Sequence, residues 1–201
     1  MKLFKKFGKK EKGTINVVSG LPRSGTSLMM KMLEAGGIPP MTDNIRTADD
    51  DNPKGYYEYE RVKKMPDGDV AWVKDAQGKA VKVIAALLEY LPDDYIYKVL
   101  FMRRSMDEIL ASQKQMLIRS GKPTDEISDE KLAELYVKHV AKVDNWMSQQ
   151  SNLMVLDVDY NDLMQNPDPY PEKIQQFLGV EMDVAQMSGV VDPALYRQRK
   201  A

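Results

Sequence analysis

Residues 20–27, Gly-Leu-Pro-Arg-Ser-Gly-Thr-Ser, place two glycines, one arginine and three hydroxyl side chains within eight positions. The apolar run 15–18 precedes them, and apolar residues at helical spacing follow over positions 28–33. This order predicts a strand, a tight loop and a helix. In such a unit the backbone N–H groups of the loop and the N-terminus of the helix bind an anion. The segment therefore predicts a phosphate-binding loop.

The loop has the spacing of the nucleotide-binding pattern G-x-x-x-x-G-K-[ST], but Thr26 stands where that pattern has lysine. That lysine normally reaches the β- and γ-phosphates of a nucleoside triphosphate. The cation of this loop lies three residues earlier, at Arg23. We therefore expect a different phosphate ligand, bound by Arg23, Ser24, Gly25, Thr26 and Ser27.

A second polar pair follows an apolar strand pattern. Residues 97–103 lead into Arg104, and Ser112 comes eight positions after it. Ser105 and Glu108 have the spacing of a capping box, which predicts the start of a helix at this point. Because seven residues make nearly two helical turns, Ser112 lies on the same face as Ser105. We expect Arg104 and Ser112 to reach one anion.

The elements that position these residues alternate along the chain. Apolar strands are predicted at about residues 14–19, 79–84, 95–102 and 152–158, with helical patterns between them. This alternation predicts an α/β fold with a mainly parallel sheet flanked by helices. A chain of 201 residues, 43% of them hydrophobic, suits one domain, which we place at residues 14–201. Residues 1–13 hold six lysines against one glutamate and are predicted to be a basic, flexible tail.

Composition excludes several classes of function. A net charge of −1 argues against a globally basic nucleic-acid-binding protein. The longest apolar run, residues 83–88, is too short for a transmembrane helix or a signal peptide, which predicts a cytoplasmic protein. The chain has no cysteine and one histidine, so thiolate and multi-histidine metal centres are excluded and no metal is expected.

The phosphate loop resembles the 5′-phosphosulfate loop of the sulfotransferases, which bind 3′-phosphoadenosine 5′-phosphosulfate (PAPS). It is most similar to the Pro-Arg-Ser-Gly-Thr-Thr form of the protein-tyrosine members. Three further segments match the family in order: residues 79–92, 97–113 and 155–179. The resemblance implies a P-loop NTPase-like sulfotransferase fold. It also implies transfer of a sulfuryl group from PAPS to a hydroxyl or amine.

The resemblance implies roles for residues that would bind the nucleotide. Arg104 and Ser112 match the family's 3′-phosphate segment. Tyr160 begins the stretch similar to the family's Tyr-Glu-Asp-Leu run and is expected to contact the nucleotide. Arg197 lies in a basic C-terminal run where many members close over the nucleotide, although the glycine of the usual Arg-Lys-Gly pattern is absent.

The resemblance also implies catalytic cations. Arg23 of the loop and Lys82 of the second predicted strand would stabilise the charge that grows on the leaving phosphate. Lys74 and Lys79 remain alternatives to Lys82, because a lysine on a strand can equally face solvent.

The base that accepts the proton of the acceptor is expected to be a carboxylate. In the protein-tyrosine and heparan sulfotransferases it is a glutamate downstream of the first helix, a region that here contains Glu58 and Glu60. We favour Glu58, with a solvated acidic helix start as the alternative. Cytosolic members use a histidine where this chain has Ile84. His139, on the apolar stripe of a predicted helix, is expected to be a core residue.

The expected acceptor is a hydroxyl or amine on a small molecule, glycan, lipid or peptide. One alternative is a nucleotide kinase or another P-loop NTPase-like enzyme, with residues 155–157 as a possible Mg²⁺-binding strand end. The missing loop lysine opposes that alternative. Another is a catalytically inactive nucleotide-binding protein that keeps the same phosphate cradle.

Overall fold

The structure is a computed structural model that describes residues 12–43, 45, 55–124, 126–193 and 196. Within these ranges four parallel strands form one sheet in the order β2-β1-β3-β4. The strands are β1 (Thr14–Gly20), β2 (Ala80–Lys82), β3 (Ile96–Arg103) and β4 (Leu153–Asp159). The predicted α/β fold with a parallel sheet is therefore confirmed.

Helices cover both faces of this sheet. The α-helices of the described residues are α1 (Thr26–Ala35), α2 (Met106–Arg119), α3 (Asp129–Ser148), α4 (Tyr160–Gln165), α5 (Pro169–Leu178) and α6 (Val184–Gly189). Short 3₁₀ helices span Glu60–Asp67, Ala71–Ala76 and Ala85–Tyr90. None of the helices in the described part of the chain combines the length and apolar content needed to cross a bilayer.

The core lies in two layers, one on each face of the sheet. Val18 of β1 packs in the layer that contains α1, α5 and α6. Its neighbour Val17 packs in the opposite layer, with the 3₁₀ helices and the C-terminal half of α3. Because β1 is buried on both faces, its sequence is a nearly continuous apolar run rather than an alternating one.

The strand order places the predicted site at one edge of the sheet. The chain passes from β1 to β2 on one side and then returns to β3 on the other side of β1. The loops that follow β1 and β3 therefore diverge and leave a crevice outside their carboxyl ends, the usual ligand position in open parallel sheets. Gly20 pairs with Met102 and Met102 pairs with Val158, so β1, β3 and β4 end at one level.

Helix α3 differs from its prediction. The apolar stripe that contains His139 was expected to be buried, yet within it only Val143 and Met147 are buried, while Leu135 is exposed. His139 is half-buried and is not a core residue. The reason is that only the C-terminal half of α3 contributes to the core layer against the sheet.

Candidate active site

The phosphate loop connects β1 to α1 through residues with left-handed backbone. Gly20, Arg23 and Gly25 have φ values of 143°, 69° and 100°. The N–H of Ser24 donates to the carbonyl of Leu21 at 3.2 Å, which closes a turn inside the loop. The chain then enters α1 at Thr26 with the helix N-terminus facing the loop. The N–H groups of a first helical turn have no acceptor within the helix, so this arrangement suits an anion.

A buried hydroxyl group also points to a polar ligand at the loop. Ser24 is 1% exposed, and its Oγ has no hydrogen-bond partner among the described residues. Buried polar atoms are nearly always hydrogen-bonded, so an unpaired hydroxyl beside a helix N-terminus needs an explanation. An oxygen of a bound phosphate or phosphosulfate would supply the missing partner. The loop residues therefore fit the predicted ligand.

Tyr160 explains why residue 25 is glycine. The ring of Tyr160, the first residue of α4, packs against the loop, and a Cβ atom at position 25 would lie 2.3 Å from its Cδ2. No side chain fits that space. Tyr160 itself is buried, and burial raises the pKa of its hydroxyl, an effect that the nearby Arg104 partly offsets. The predicted nucleotide residue Tyr160 therefore stands directly against the phosphate loop.

We predict that Gly25→Ala disrupts the loop, with Gly37→Ala as its control. Both glycines have left-handed backbone, at φ 100° and 96°, but a Cβ at Gly37 meets nothing within 4 Å. Gly37→Ala should cost only the backbone strain, about 1–2 kcal/mol. Gly25→Ala adds overpacking against Tyr160, worth about 1–3 kcal/mol more. Thermal unfolding and nucleotide titration measure both effects, and equal losses in the two variants would contradict the role of Tyr160.

Arg104 forms a hydrogen bond with the backbone of the phosphate loop. Its side chain is only 7% exposed, and its Nη1 donates to the carbonyl of Arg23 at 2.9 Å. Its Nε donates to Glu108 Oε2 at 3.0 Å, and its Cζ lies 4.5 Å from the ring centroid of Tyr160. The structure thus places Arg104, the residue predicted to bind the 3′-phosphate, beside the loop, where its guanidinium group hydrogen-bonds to the loop backbone.

Glu108 does not close the predicted capping box. The side chain of Ser105 makes no cap hydrogen bond, although Ser105 is the N-cap of α2. Glu108 is 4% exposed and contacts Arg104 instead. A buried carboxylate strongly favours a cationic partner, because removing either charge from water without one is costly. The capping-box pattern therefore predicted the start of α2 correctly, but it did not predict that Glu108 pairs with Arg104.

Ser112 joins this group through Arg23. Its Oγ accepts a hydrogen bond from Arg23 Nε at 2.9 Å, and it is buried. Arg104 and Ser112 therefore both contact Arg23. Arg104 contacts its backbone carbonyl, and Ser112 contacts its guanidinium group. One loop residue thus connects the phosphate loop with both residues predicted for the 3′-phosphate.

Lys82 lies next to the first turn of α1. It is 8% exposed, and its Nζ donates to Ser27 Oγ at 2.8 Å and to the carbonyl oxygen of Tyr56. Of the two alternatives, Lys74 is exposed and Lys79 half-buried on a turn before β2. The alternative that Lys82 faces solvent is therefore excluded, and of these three lysines it is Lys82 that contacts α1 through Ser27.

The carboxylates Glu58 and Glu60 share one lysine. Lys63 Nζ lies 3.1 Å from Glu58 Oε2 and 2.6 Å from Glu60 Oε1. The hydrogen bond to Glu60, and more weakly that to Glu58, raises the pKa of Lys63 above its ordinary value. The side chain of Glu58 is 18% exposed and that of Glu60 36%. Glu58 precedes the 3₁₀ helix that begins at Glu60, so it is not part of a solvated helix start.

The backbone around Glu58 is anchored to the segment that follows α1. Thr42 Oγ1 donates to the carbonyl of Glu58 at 2.9 Å, and the N–H of Glu60 donates to Asp43 Oδ2 at 2.6 Å. Two residues before Glu58, the carbonyl of Tyr56 contacts Lys82. The segment that carries the predicted base therefore lies beside the predicted catalytic lysine.

The C-terminal run was predicted to close over the nucleotide through Arg197, which lies outside the described residues. Its neighbour Tyr196 is described and buried. The Tyr196 hydroxyl donates to Glu108 Oε1 at 2.8 Å, and its ring stands edge-on to Tyr160 at 5.7 Å. Sequence reasoning missed both Tyr196 and Glu108 as site residues. The capping-box pattern assigned Glu108 to the start of α2, and no local pattern connects Tyr196 with Glu108.

The fold and the loop define a nucleotide-binding α/β protein of the P-loop type. A family model described as "Sulfotransferase family" matches residues 56–184, more than half of the chain. The chain therefore belongs to the sulfotransferase family, and it is an enzyme of sulfuryl transfer. The kinase and the inactive binding protein are not favoured. The phosphate loop precedes the matched range, so its assignment rests on its own residues and geometry.

Solved sulfotransferase structures share the fold. The sulfotransferase domain of the olefin synthase from Synechococcus PCC 7002 has 17% identity and a TM-score of 0.55, with 100% of this chain and 93% of that chain covered. STF1 from Mycobacterium tuberculosis has 14% identity and a TM-score of 0.55, covering 92% and 73%. Mouse SULT7A1, solved with PAP, has 19% identity and a TM-score of 0.52, covering 89% and 62%. A comparison with curated proteins found no match.

Proposed function

We propose that this enzyme uses PAPS as the sulfuryl donor and transfers the group to a hydroxyl or amine acceptor. The observation that carries the proposal is the position of Lys82. Its buried ammonium group comes from the neighbouring strand and contacts Ser27 in the first turn of α1. A cation at this point can stabilise charge at the phosphosulfate end of a nucleotide bound by the loop.

The loop would bind the 5′-phosphosulfate. We assign this role to Arg23, Ser24, Gly25, Thr26 and Ser27, whose backbone turns into the N-terminus of α1. The ligand oxygens would accept hydrogen bonds from the first turn of the helix and from the buried Ser24 hydroxyl. A lysine in the loop is not needed to neutralise the ligand, because Arg23 of the loop and Lys82 of β2 supply the positive charges.

The opposite end of the nucleotide would contact Arg104, Ser112 and Tyr160. Arg104 supplies the charge for the 3′-phosphate, and Ser112 supplies a hydroxyl beside Arg23. Tyr160 offers a ring beside the loop, and Arg197 remains a proposed contact of the same phosphate. A charge-assisted contact with Arg104 would distinguish a 3′,5′-bisphosphate from a 5′-monophosphate.

The transfer step demands little beyond positioning and charge stabilisation. The bond between sulfur and the bridging oxygen breaks, a new bond forms between sulfur and the acceptor atom, and the electron pair leaves with the 5′-phosphate. Arg23 and Lys82 would stabilise the charge on that leaving group. Glu58 would take the acceptor proton. The proposal assigns no metal, because a sulfuryl group carries less charge than a γ-phosphate.

The acceptor is proposed to be a small molecule, glycan, lipid or peptide that carries the hydroxyl or amine. The segment around Glu58 would contact it, since the proton must pass to that carboxylate. A cytoplasmic location, predicted from the sequence, remains part of the proposal.

A binding comparison tests the donor assignment. Calorimetric titration should show that adenosine 3′,5′-bisphosphate binds without a divalent ion and more tightly than Mg-ATP. Radiolabelled transfer from PAPS to a panel of phenols, alcohols, amines and peptides then tests catalysis. Preference for Mg-ATP would contradict the donor assignment. Tight bisphosphate binding without transfer to any acceptor class would favour the inactive nucleotide-binding alternative.

A further inference from the structure

A chain of hydrogen bonds connects the C-terminal segment with the phosphate loop. The hydroxyl of Tyr196 donates to Glu108 Oε1 at 2.8 Å. The other carboxylate oxygen of Glu108 accepts from Arg104 Nε at 3.0 Å. Arg104 Nη1 in turn donates to the carbonyl of Arg23 at 2.9 Å. Residue 196 thus reaches residue 23 through two intervening side chains.

The hydroxyl of Tyr196 is held in one orientation. It accepts a hydrogen bond from Asn161 Nδ2 at 2.6 Å, so its own proton is left for Glu108. Asn161 Oδ1 accepts from the backbone N–H of Ser105 at 2.9 Å, which fixes the amide as well. Burial and the hydrogen bond to Glu108 raise the pKa of Tyr196, so the hydroxyl stays protonated and remains a donor.

The ion pair at the centre of this chain depends on its remaining hydrogen bonds. The side chains of Arg104 and Glu108 are 7% and 4% exposed. A buried ion pair is stable only when the other lone pairs and protons of the two groups are also satisfied. Tyr196 satisfies the carboxylate oxygen that Arg104 Nε does not contact. Loss of that donor would let Glu108 turn, and Arg104 with it.

We propose that Tyr196 is a positioning residue for the nucleotide site. By holding Glu108 it fixes the guanidinium of Arg104 against the carbonyl of Arg23, in the orientation that binds the 3′-phosphate. The inference rests on the proposed function, which assigns Arg104 to that phosphate. Tyr196 lies beyond the range that the family model matches, so its role comes from the contacts of this chain.

The chain contains a matched control for Tyr196. Tyr170 is also buried, at 6% exposed against 8% for Tyr196. Its hydroxyl donates to a carboxylate oxygen of Asp162 at 2.8 Å, the same length as the bond from Tyr196 to Glu108. Phenylalanine at either position removes one buried hydroxyl from one carboxylate. Only the bond from Tyr196 leads to Arg104.

The experiment measures dissociation constants for adenosine 3′,5′-bisphosphate and adenosine 5′-phosphate by calorimetry. Tyr196→Phe should weaken the bisphosphate about fivefold, the usual worth of one hydrogen bond. It should leave the monophosphate unchanged. Tyr170→Phe should lower the melting temperature by a similar amount without changing the ratio of the two constants. In an Arg104→Ala background, Tyr196→Phe should cause no further loss of bisphosphate affinity.

Other outcomes distinguish a failure of the role of Tyr196 from a failure of the proposed function. If the wild-type protein does not prefer the bisphosphate, both the proposed donor and the inference are wrong. If Arg104→Ala removes the preference but Tyr196→Phe does not reduce it, the proposed function stands and the inference is overturned. The inference is also overturned if Tyr196→Phe weakens the bisphosphate and the monophosphate equally, or if Tyr170→Phe changes the ratio of the two dissociation constants as much as Tyr196→Phe does. Should Tyr196→Phe fail to fold, Asn161→Ala replaces it and must shift the ratio in the same direction.

Discussion

Glu58→Gln is expected to lower turnover by about two to four orders of magnitude, the usual worth of a general base. The affinity for adenosine 3′,5′-bisphosphate and the melting temperature should stay close to wild type. The reason is that Glu58 belongs to the segment beside Lys82, whereas the proposed contacts with adenosine 3′,5′-bisphosphate come from the loop, from Arg104 and α2, and from α4. Steady-state turnover with an accepted substrate, together with calorimetry and thermal unfolding, measures the three quantities.

Glu60→Gln is the matched control for this variant. Both carboxylates contact the ammonium of Lys63, at 3.1 Å for Glu58 and 2.6 Å for Glu60. Each substitution therefore removes one negative charge and weakens one contact of the same lysine. A loss of activity caused by the altered charge alone would appear in both variants. If only Glu60→Gln is inactive, the base is Glu60. If both remain active, the base does not come from this segment.

Lys82→Met is expected to lower turnover by about two to three orders of magnitude, as removal of one group that stabilises transition-state charge usually does. The buried ammonium contacts Ser27 and the carbonyl of Tyr56 beside the phosphosulfate end of the proposed site. Methionine fills a similar volume without a charge, so the fold should survive. Turnover and thermal unfolding, measured on the same preparation, separate catalysis from stability.

Lys98→Met is the control for Lys82→Met. Lys98 is also a strand lysine, on β3, and its Nζ donates to the carbonyl of Leu178 at the end of α5. Its loss should lower the melting temperature and leave turnover unchanged, since its hydrogen bond goes to α5 and none of the proposed site residues that the structure describes is its partner. Comparable turnover losses in both variants would mean that Lys82 acts through the fold. Full activity of Lys82→Met would remove Lys82 from the catalytic group.

Local signals were sufficient for the elements that carry the site. The first helix, Thr26–Ala35, contains residues 28–33, whose helical spacing predicted it, and the loop glycine and the Gly36–Gly37 pair delimit it. The four strands lie within one or two residues of their predicted positions. Their apolar composition reflects burial on both faces of a parallel sheet, which is a property of each strand by itself. The family's order of motifs supplied the rest of the fold.

The choice among Lys74, Lys79 and Lys82 shows where local signals stop. A lysine near a strand can face either side or solvent, and its sequence neighbours do not distinguish these cases. The register of β2 on β1 pairs Lys82 with Val18, in the layer that contains α1. That pairing directs the ammonium to Ser27. The decision therefore depends on a contact between strands that are about sixty residues apart in the chain.

The sequence by itself determined the phosphate loop, the strands and helices around it, and the residue types available for chemistry. Only the tertiary structure decided which of these residues meet. Glu108 pairs with Arg104 and does not cap α2, and the ring of Tyr160 excludes a side chain at Gly25. The hydroxyl of Tyr196 hydrogen-bonds to Glu108. The physical reason is that helix and loop signals arise from neighbouring residues, whereas these contacts join distant segments. Their partners are set by the order of strands in the sheet and by the need to satisfy buried polar groups.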